Sequence, residues 1–162
     1  VICTEKLDGT NVSIYMQQGK LVYVFNRTDE QPVHVLASNP ALDGVRRCFA
    51  KNRLPMEDGQ HFGELMGPGI GSNLLKLNRP EWFSFDHLRE NYSYNSFHKY
   101  EKTFENLSSW LQNDIFSLIY SHYFNGEKVQ PEGIIFYQPS TGQMAKLRCD
   151  MYQWFNGKKH HR

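Results

Sequence analysis

Polar and apolar positions change their period several times along the chain, and each change marks an element. Residues 1–6, 11–16 and 20–26 are short stretches of strand character, among them the alternating Val12, Ile14 and Tyr15. Gln17-Gln18-Gly19 is a connection short enough to make the last two a hairpin. Ser38 or Asn39 can cap a helix with Pro40 in its first turn, with Leu42, Val45, Cys48 and Phe49 on one face. Glu57-Asp58-Gly59 turns the chain into a strand at 60–66, followed by a glycine-rich loop and a strand at 81–87. Residues 88–103, with Tyr92, Tyr94 and Tyr100, read as loop with helical turns. From Phe104 to Tyr123 the apolar set Leu107, Trp110, Leu111, Ile115, Leu118 and Ile119 predicts one helix, with Gly126 as its stop. Strands at 132–138 and 143–149, linked by Pro139-Ser140-Thr141-Gly142, close the pattern. The order predicts an α+β fold: two mainly antiparallel β-sheets flanked by helices and enclosing a cleft. No internal repeat interrupts it.

Composition narrows the picture. At 162 residues the chain is long enough for one domain with a real core, predicted to span 1–162. It opens without methionine and almost directly on its most distinctive motif, so a fragment of something longer is expected. Eighteen basic and 17 acidic residues give no net field to attract nucleic acid, so any phosphate-binding charge must be concentrated locally. Arg46-Arg47 with Lys51 and Arg53, and the tail Lys158-Lys159-His160-His161-Arg162, are two such clusters; each also reads as a solvated helix face or a frayed end. Cys3, Cys48 and Cys149 are odd in number and far apart, which argues for an intracellular, reducing compartment and against a disulfide framework or zinc knuckle. The seven histidines lack metal-ligand spacing, and neither a signal peptide nor a membrane span is present.

The chemistry concentrates in Thr4-Glu5-Lys6-Leu7-Asp8-Gly9-Thr10-Asn11, which sets a lysine between two carboxylates and before a glycine turn. At its ordinary pKa only about one lysine in a few thousand is neutral at pH 7. A nucleophilic lysine therefore needs burial or cationic neighbours. The plain alternative is a β-turn at Asp8-Gly9 joining two strands, with Lys6 solvated.

Four further motifs follow in order, and with them the chain resembles the covalent nucleotidyltransferases, the superfamily of DNA ligases, RNA ligases and mRNA-capping enzymes. Glu5-Lys6-Leu7-Asp8-Gly9-Thr10-Asn11 is similar to the first motif in its RNA ligase form. Phe62-Gly63-Glu64-Leu65-Met66-Gly67 and its continuation Pro68-Gly69-Ile70-Gly71-Ser72-Asn73 resemble the next. Trp82-Phe83-Ser84-Phe85-Asp86, Glu132-Gly133-Ile134-Ile135-Phe136 and Ala145-Lys146-Leu147-Arg148 resemble those that follow. The likeness runs from residue 4 to about residue 148, and within the superfamily it is greatest to nick-sealing and RNA-editing RNA ligases.

That resemblance implies ATP as cofactor, with Mg²⁺ (or Mn²⁺), and a covalent lysyl-AMP on Lys6. AMP then passes to the 5′-phosphate of an RNA or RNA/DNA end, and a 3′-hydroxyl seals the strand. Catalytic roles fall to Lys6, Glu132, Lys146 and Arg148, and nucleotide contacts to Glu5, Asn11, Arg27, Glu64, Phe85, Lys146 and Arg148. Glu132 and Glu64 are the expected metal carboxylates. Phe85 would stack on the purine, or serve as a core aromatic. Lys146 and Arg148, two residues apart on a strand, are expected on one face, where they could neutralise phosphate and depress the pKa of Lys6. The family usually has lysine where Arg148 stands. Arginine binds phosphate bidentately but cannot give up a proton, so a role needing a neutral amine there is in question. The glycines at 67, 69 and 71 lack a Walker-type ending and are expected to permit a tight path. A monomer without membrane contact is expected, with a further clamp domain possible in a longer protein. A GTP-using capping guanylyltransferase, or an inactive nucleotide- or RNA-binding module, are the alternatives.

Overall fold

A computed structural model of the chain describes residues 1–26, 40–50, 57–90, 96–98, 103–124 and 126–150. In chain order these form β1 (Ile2–Lys6), β2 (Thr10–Gln17), β3 (Lys20–Asn26), α1 (Pro40–Ala50), β4 (Gly59–Met66), β5 (Glu81–Ser84) and α2 (Phe85–Glu90). There follow α3 (Phe104–Ser109), a π-helical turn (Trp110–Asp114), α4 (Leu118–Phe124), β6 (Gly133–Tyr137) and β7 (Met144–Arg148). The fold is α+β, with two sheets that are antiparallel throughout, ordered β1-β6-β7 and β3-β2-β4-β5. No helix among the described residues is long and apolar enough to cross a membrane.

The chain divides into two compact units. One comprises Val1–Leu7 with Asn91–Arg162, the other Asp8–Glu90. In the second unit, alternation along β2 sends Val12, Ile14 and Met16 to one face of the four-stranded sheet. There they meet Val24, Leu65 and Trp82 and the apolar face of α1 (Ala41, Leu42, Val45, Cys48). The Trp82 indole N–H donates to the Val12 carbonyl at 2.9 Å, so the largest core side chain leaves no polar atom unpaired. In the first unit, Cys3, Ile134 and Cys149 pack with Leu111 and Ile115 of the helical segment.

Two predicted elements differ from those observed. The strand at 81–87 ends at Ser84, whose hydroxyl accepts from the His87 N–H at 2.9 Å and caps α2, so Phe85 and Asp86 lie in a first helical turn. The helix expected from Phe104 to Tyr123 is broken. After the π-helical turn, closed by the Ile115 N–H on the Trp110 carbonyl (2.9 Å), residues 115–117 are extended or irregular and α4 begins afresh at Leu118. Leu111, Ile115 and Ile119 are buried on either side of the break, which is why their spacing mimics one continuous helix.

The Asp8-Gly9 bend does not make a hairpin. It carries the chain from β1, in one sheet, to β2, in the other. A Cβ on Gly9 would lie 1.9 Å from the Leu65 carbonyl oxygen, so the close approach of β4 backbone leaves room only for glycine.

Candidate active site

Register across the three-stranded sheet decides which side chains share a face. Lys6 pairs with Gly133, and Gly133 with Arg148. Thr4, Ile135 and Lys146 form the row two positions further along, the next on the same face. Directly opposed residues point the same way, so Lys6, Lys146 and Arg148 stand on one face, as sequence alternation predicted for the last two. Strand spacing puts the Lys6 and Arg148 backbones roughly 10 Å apart. Gly133 lies between them with no side chain to fill the gap. A Cβ there would come within 2.2 Å of the Leu147 carbonyl oxygen, so β7 backbone enforces the opening.

The Lys6 ammonium donates to Glu132 Oε2 at 2.7 Å, with both side chains largely covered. Arg148 Nε lies 3.5 Å from Asp150 Oδ1, and Lys146 is exposed. Amine, carboxylate and two further cations thus gather at one end of one sheet. An oxygen donor such as Glu132 suits Mg²⁺, which takes one or two carboxylates and completes its shell with water and phosphate. No group of three or more His, Cys, Asp or Glu side chains among the described residues could hold a metal unaided.

Glu5, expected among the nucleotide contacts, has a different setting from Lys6. Strand alternation turns its side chain to the face opposite Lys6, away from any ligand bound beside that lysine. There it is buried, with its carboxylate accepting from the Ser117 hydroxyl at 2.6 Å and from the Ile119 N–H at 3.0 Å. Ser117 in turn accepts from the Tyr120 N–H at 3.0 Å, so the two residues together cap α4. Loss of water pushes the Glu5 carboxyl up to about 7, opposed by the Ser117, Ile119 and Leu118 hydrogen bonds. Cys3 and Cys149 share that face; burial pushes both thiols up to about 12, and for Cys149 the charges of Asp150, Glu5 and Glu132 add to it. Such thiols are inert packing groups.

The remaining residues that the resemblance assigns to the nucleotide, so far as they are described, belong to the other unit. Asn11 and Glu64 are directly opposed on β2 and β4, on the face away from the core of that sheet. Phe83 is Glu64's neighbour on β5. Phe85 is partly buried at the start of α2, and Asp86 Oδ2 lies 3.8 Å from His61 Nδ1. Arg27 falls outside the described residues, as do Lys51, Arg53 and the basic tail.

Two residues of the motifs turn out to organise a loop. Asp8 Oδ2 accepts from the Ser72 hydroxyl at 2.6 Å and the Leu74 N–H at 3.0 Å, fastening the glycine-rich segment to the bend after Lys6. Asn73 donates to the Leu77 carbonyl and accepts the Leu77 N–H, both at 3.0 Å, closing the loop on itself. Gly67, Gly69 and Gly71 take positive φ within it. The sequence signal for Asp8 was present in the motif, but nothing local shows that its partners lie 64 and 66 residues away. Ser117 was hidden inside an apparent helix.

The sequence of motifs and this geometry agree with one comparison in particular: the family described as RNA ligase matches residues 1–148. The chain belongs to the RNA ligase family. Among solved structures it is similar to a mutant Naegleria gruberi RNA ligase with ATP and Mn, at 19% identity and a TM-score of 0.62, covering 98% of this chain and 52% of that one. A second mutant with AMP and Mn gives 17% identity, a TM-score of 0.60 and coverage of 98% and 52%. The Naegleria enzyme with PPi gives 19%, 0.58, and 96% and 51%. At these identities the likeness supports the RNA ligase fold. This chain spans about half the length of those structures. No sequence among the curated proteins matches it significantly.

Proposed function

We propose that this member of the RNA ligase family carries the adenylation chemistry of an ATP-dependent RNA ligase, with Lys6 as the nucleophile. The observation that carries the reading is the single sheet face that bears Lys6, Lys146 and Arg148 around the gap at Gly133, with Glu132 on the lysine. The Lys6 nitrogen attacks the α-phosphorus of ATP, the bond to the bridging oxygen breaks, and pyrophosphate leaves with that electron pair. A P–N bond to AMP remains.

For this the amine must first lose a proton and leave its hydrogen bond to Glu132. Lys146 and Arg148 neutralise phosphate oxygens; Arg148 can do so bidentately, which a point-charge lysine cannot. Positioning and charge neutralisation are what phosphoryl-type transfer asks of a protein. Mg²⁺ or Mn²⁺ held by Glu132 would offset charge on the phosphates. By the family resemblance, Glu64 would take the ribose hydroxyls, Asn11 the AMP phosphate and Phe85 the purine. Transfer of AMP to a 5′-phosphate and closure by a 3′-hydroxyl complete the proposed activity.

Incubation with labelled ATP or GTP and a divalent cation tests it. Label retained from ATP through denaturing electrophoresis, and lost in Lys6→Ala, is the expected result. Retention from GTP instead would mean a capping-type transferase. Retention from neither would leave a binding module, and label surviving in Lys6→Ala would remove Lys6 as nucleophile.

A further inference from the structure

The geometry points to Glu5 as a positioning residue for Lys6, its buried carboxylate tying the end of β1 to the first turn of α4. This rests on the proposed lysyl-AMP chemistry and assigns Glu5 a role its neighbouring nucleophile depends on. β1 lies at the edge of its sheet, with β6 on one side. Among the described residues its other side is met by an isolated bridge, Thr4 with Ser96, and by the Phe97 N–H on the Cys3 carbonyl at 2.8 Å. Both contacts lie before Glu5. The last residues of the strand, which present the nucleophile, are held on that flank through the Glu5 side chain.

The hold is directional. Two short bonds, from Ser117 Oγ and Ile119 N, fix the carboxylate in position and rotation. Ser117 is itself fixed by its N–H on the Val129 carbonyl (2.7 Å) and by its cap of Tyr120. Burying a carboxylate costs more than burying an amide or hydroxyl that could make similar bonds. Among the described residues, no charged group is close enough to compensate it. Cys3 and Cys149 on the same sheet face are neutral thiols, and Glu105, Asp114 and His122 of the helical segment are exposed. Facing away from Lys6, the carboxylate reaches no ligand and acts through the backbone. Fixing the base of a long, flexible side chain matters because about 1 Å of misplacement at a reacting atom can cost roughly 100-fold in rate.

The experiment compares the full chain with Glu5→Ala, Glu5→Gln and Ser117→Ala in single-turnover formation of lysyl-AMP from labelled ATP. Folding is checked by circular dichroism and denaturant unfolding. We expect Glu5→Ala to slow labelling at saturating ATP by about 30-fold or more, with half-saturating ATP changed by less than about threefold. Glu5→Gln, whose amide oxygen still accepts from Ile119 and whose NH₂ can donate to Ser117, should recover to within about fivefold of wild type. Ser117→Ala, which removes one of the two bonds, should fall between. Wild-type labelling by folded Glu5→Ala would overturn the proposal. So would a loss that only tracks the fraction unfolded. If Glu5→Ala does not fold, Ser117→Ala and Glu5→Gln decide: a wild-type rate in the first, or no recovery over it in the second, overturns the role. A wild-type chain that takes no label would instead bring down the lysyl-AMP reading itself, and this role with it.

Discussion

At the scale of single residues, the side chain adjacent to the proposed nucleophile has the most unusual environment. Glu5 is pushed from 4.5 to about 7 by burial, so between those values the folded chain binds more protons than the unfolded one. Its contribution to stability is therefore fully present below about 4.5 and is lost as pH rises through about 7. Glutamine at this position has no proton to lose. Glu5→Gln should gain on wild type as pH climbs from 4.5 to 8, by up to about 3 kcal/mol, since each tenfold change in proton affinity is worth about 1.36 kcal/mol. Denaturant unfolding at the two ends of that range measures it. A difference between the proteins that does not change with pH would show that the carboxylate is not desolvated as the structure indicates.

Individual elements show what was legible in the sequence and what was not. Strands were readable because half-buried sheets impose a period of two, and β2, β3, β4, β6 and β7 lie within a residue or so of their predicted bounds. Lys146 and Arg148 were placed on one face from spacing alone. The partnership of Lys6 with Glu132 was not legible, because it spans 126 positions and arises from β1 pairing with β6. The split of the helical segment was missed for a related reason. Leu111, Ile115 and Ile119 satisfy helical spacing, while the break between them exists to bring Ser117 and the α4 amides to a carboxylate 112 residues earlier. That gives the element a specific weakness. Ser117→Ala removes the cap of α4 and one donor to Glu5, and should destabilise the chain by about 2 kcal/mol. Pairing it with Glu5→Ala should cost less than the sum of the two, because each single change already breaks the shared bond. Strict additivity in denaturant midpoints would mean that the two residues are not coupled.

For the molecule as a whole, the question is how much of the ligase reaction each group governs. On the proposed mechanism Lys6 is required where AMP is taken from ATP and handed on to the 5′-phosphate, because the P–N bond would be made and broken at its nitrogen. Sealing of an end that already carries AMP on its 5′-phosphate needs no new bond to Lys6. It needs the phosphate oxygens neutralised and the 3′-hydroxyl brought in line, tasks assigned here to Lys146, Arg148 and the divalent cation. Lys6→Ala should therefore fail to label with ATP yet join a pre-adenylylated 5′ end to a 3′-hydroxyl at a rate within about tenfold of wild type, measured without ATP in a single turnover. Arg148→Ala should impair both reactions. Because this chain spans about half the length of the ligases it resembles, wild type is the necessary reference for each. If Lys6→Ala loses both reactions while wild type performs them, Lys6 does more than carry AMP, and its charge beside Glu132 must then be counted among the groups that organise the phosphates.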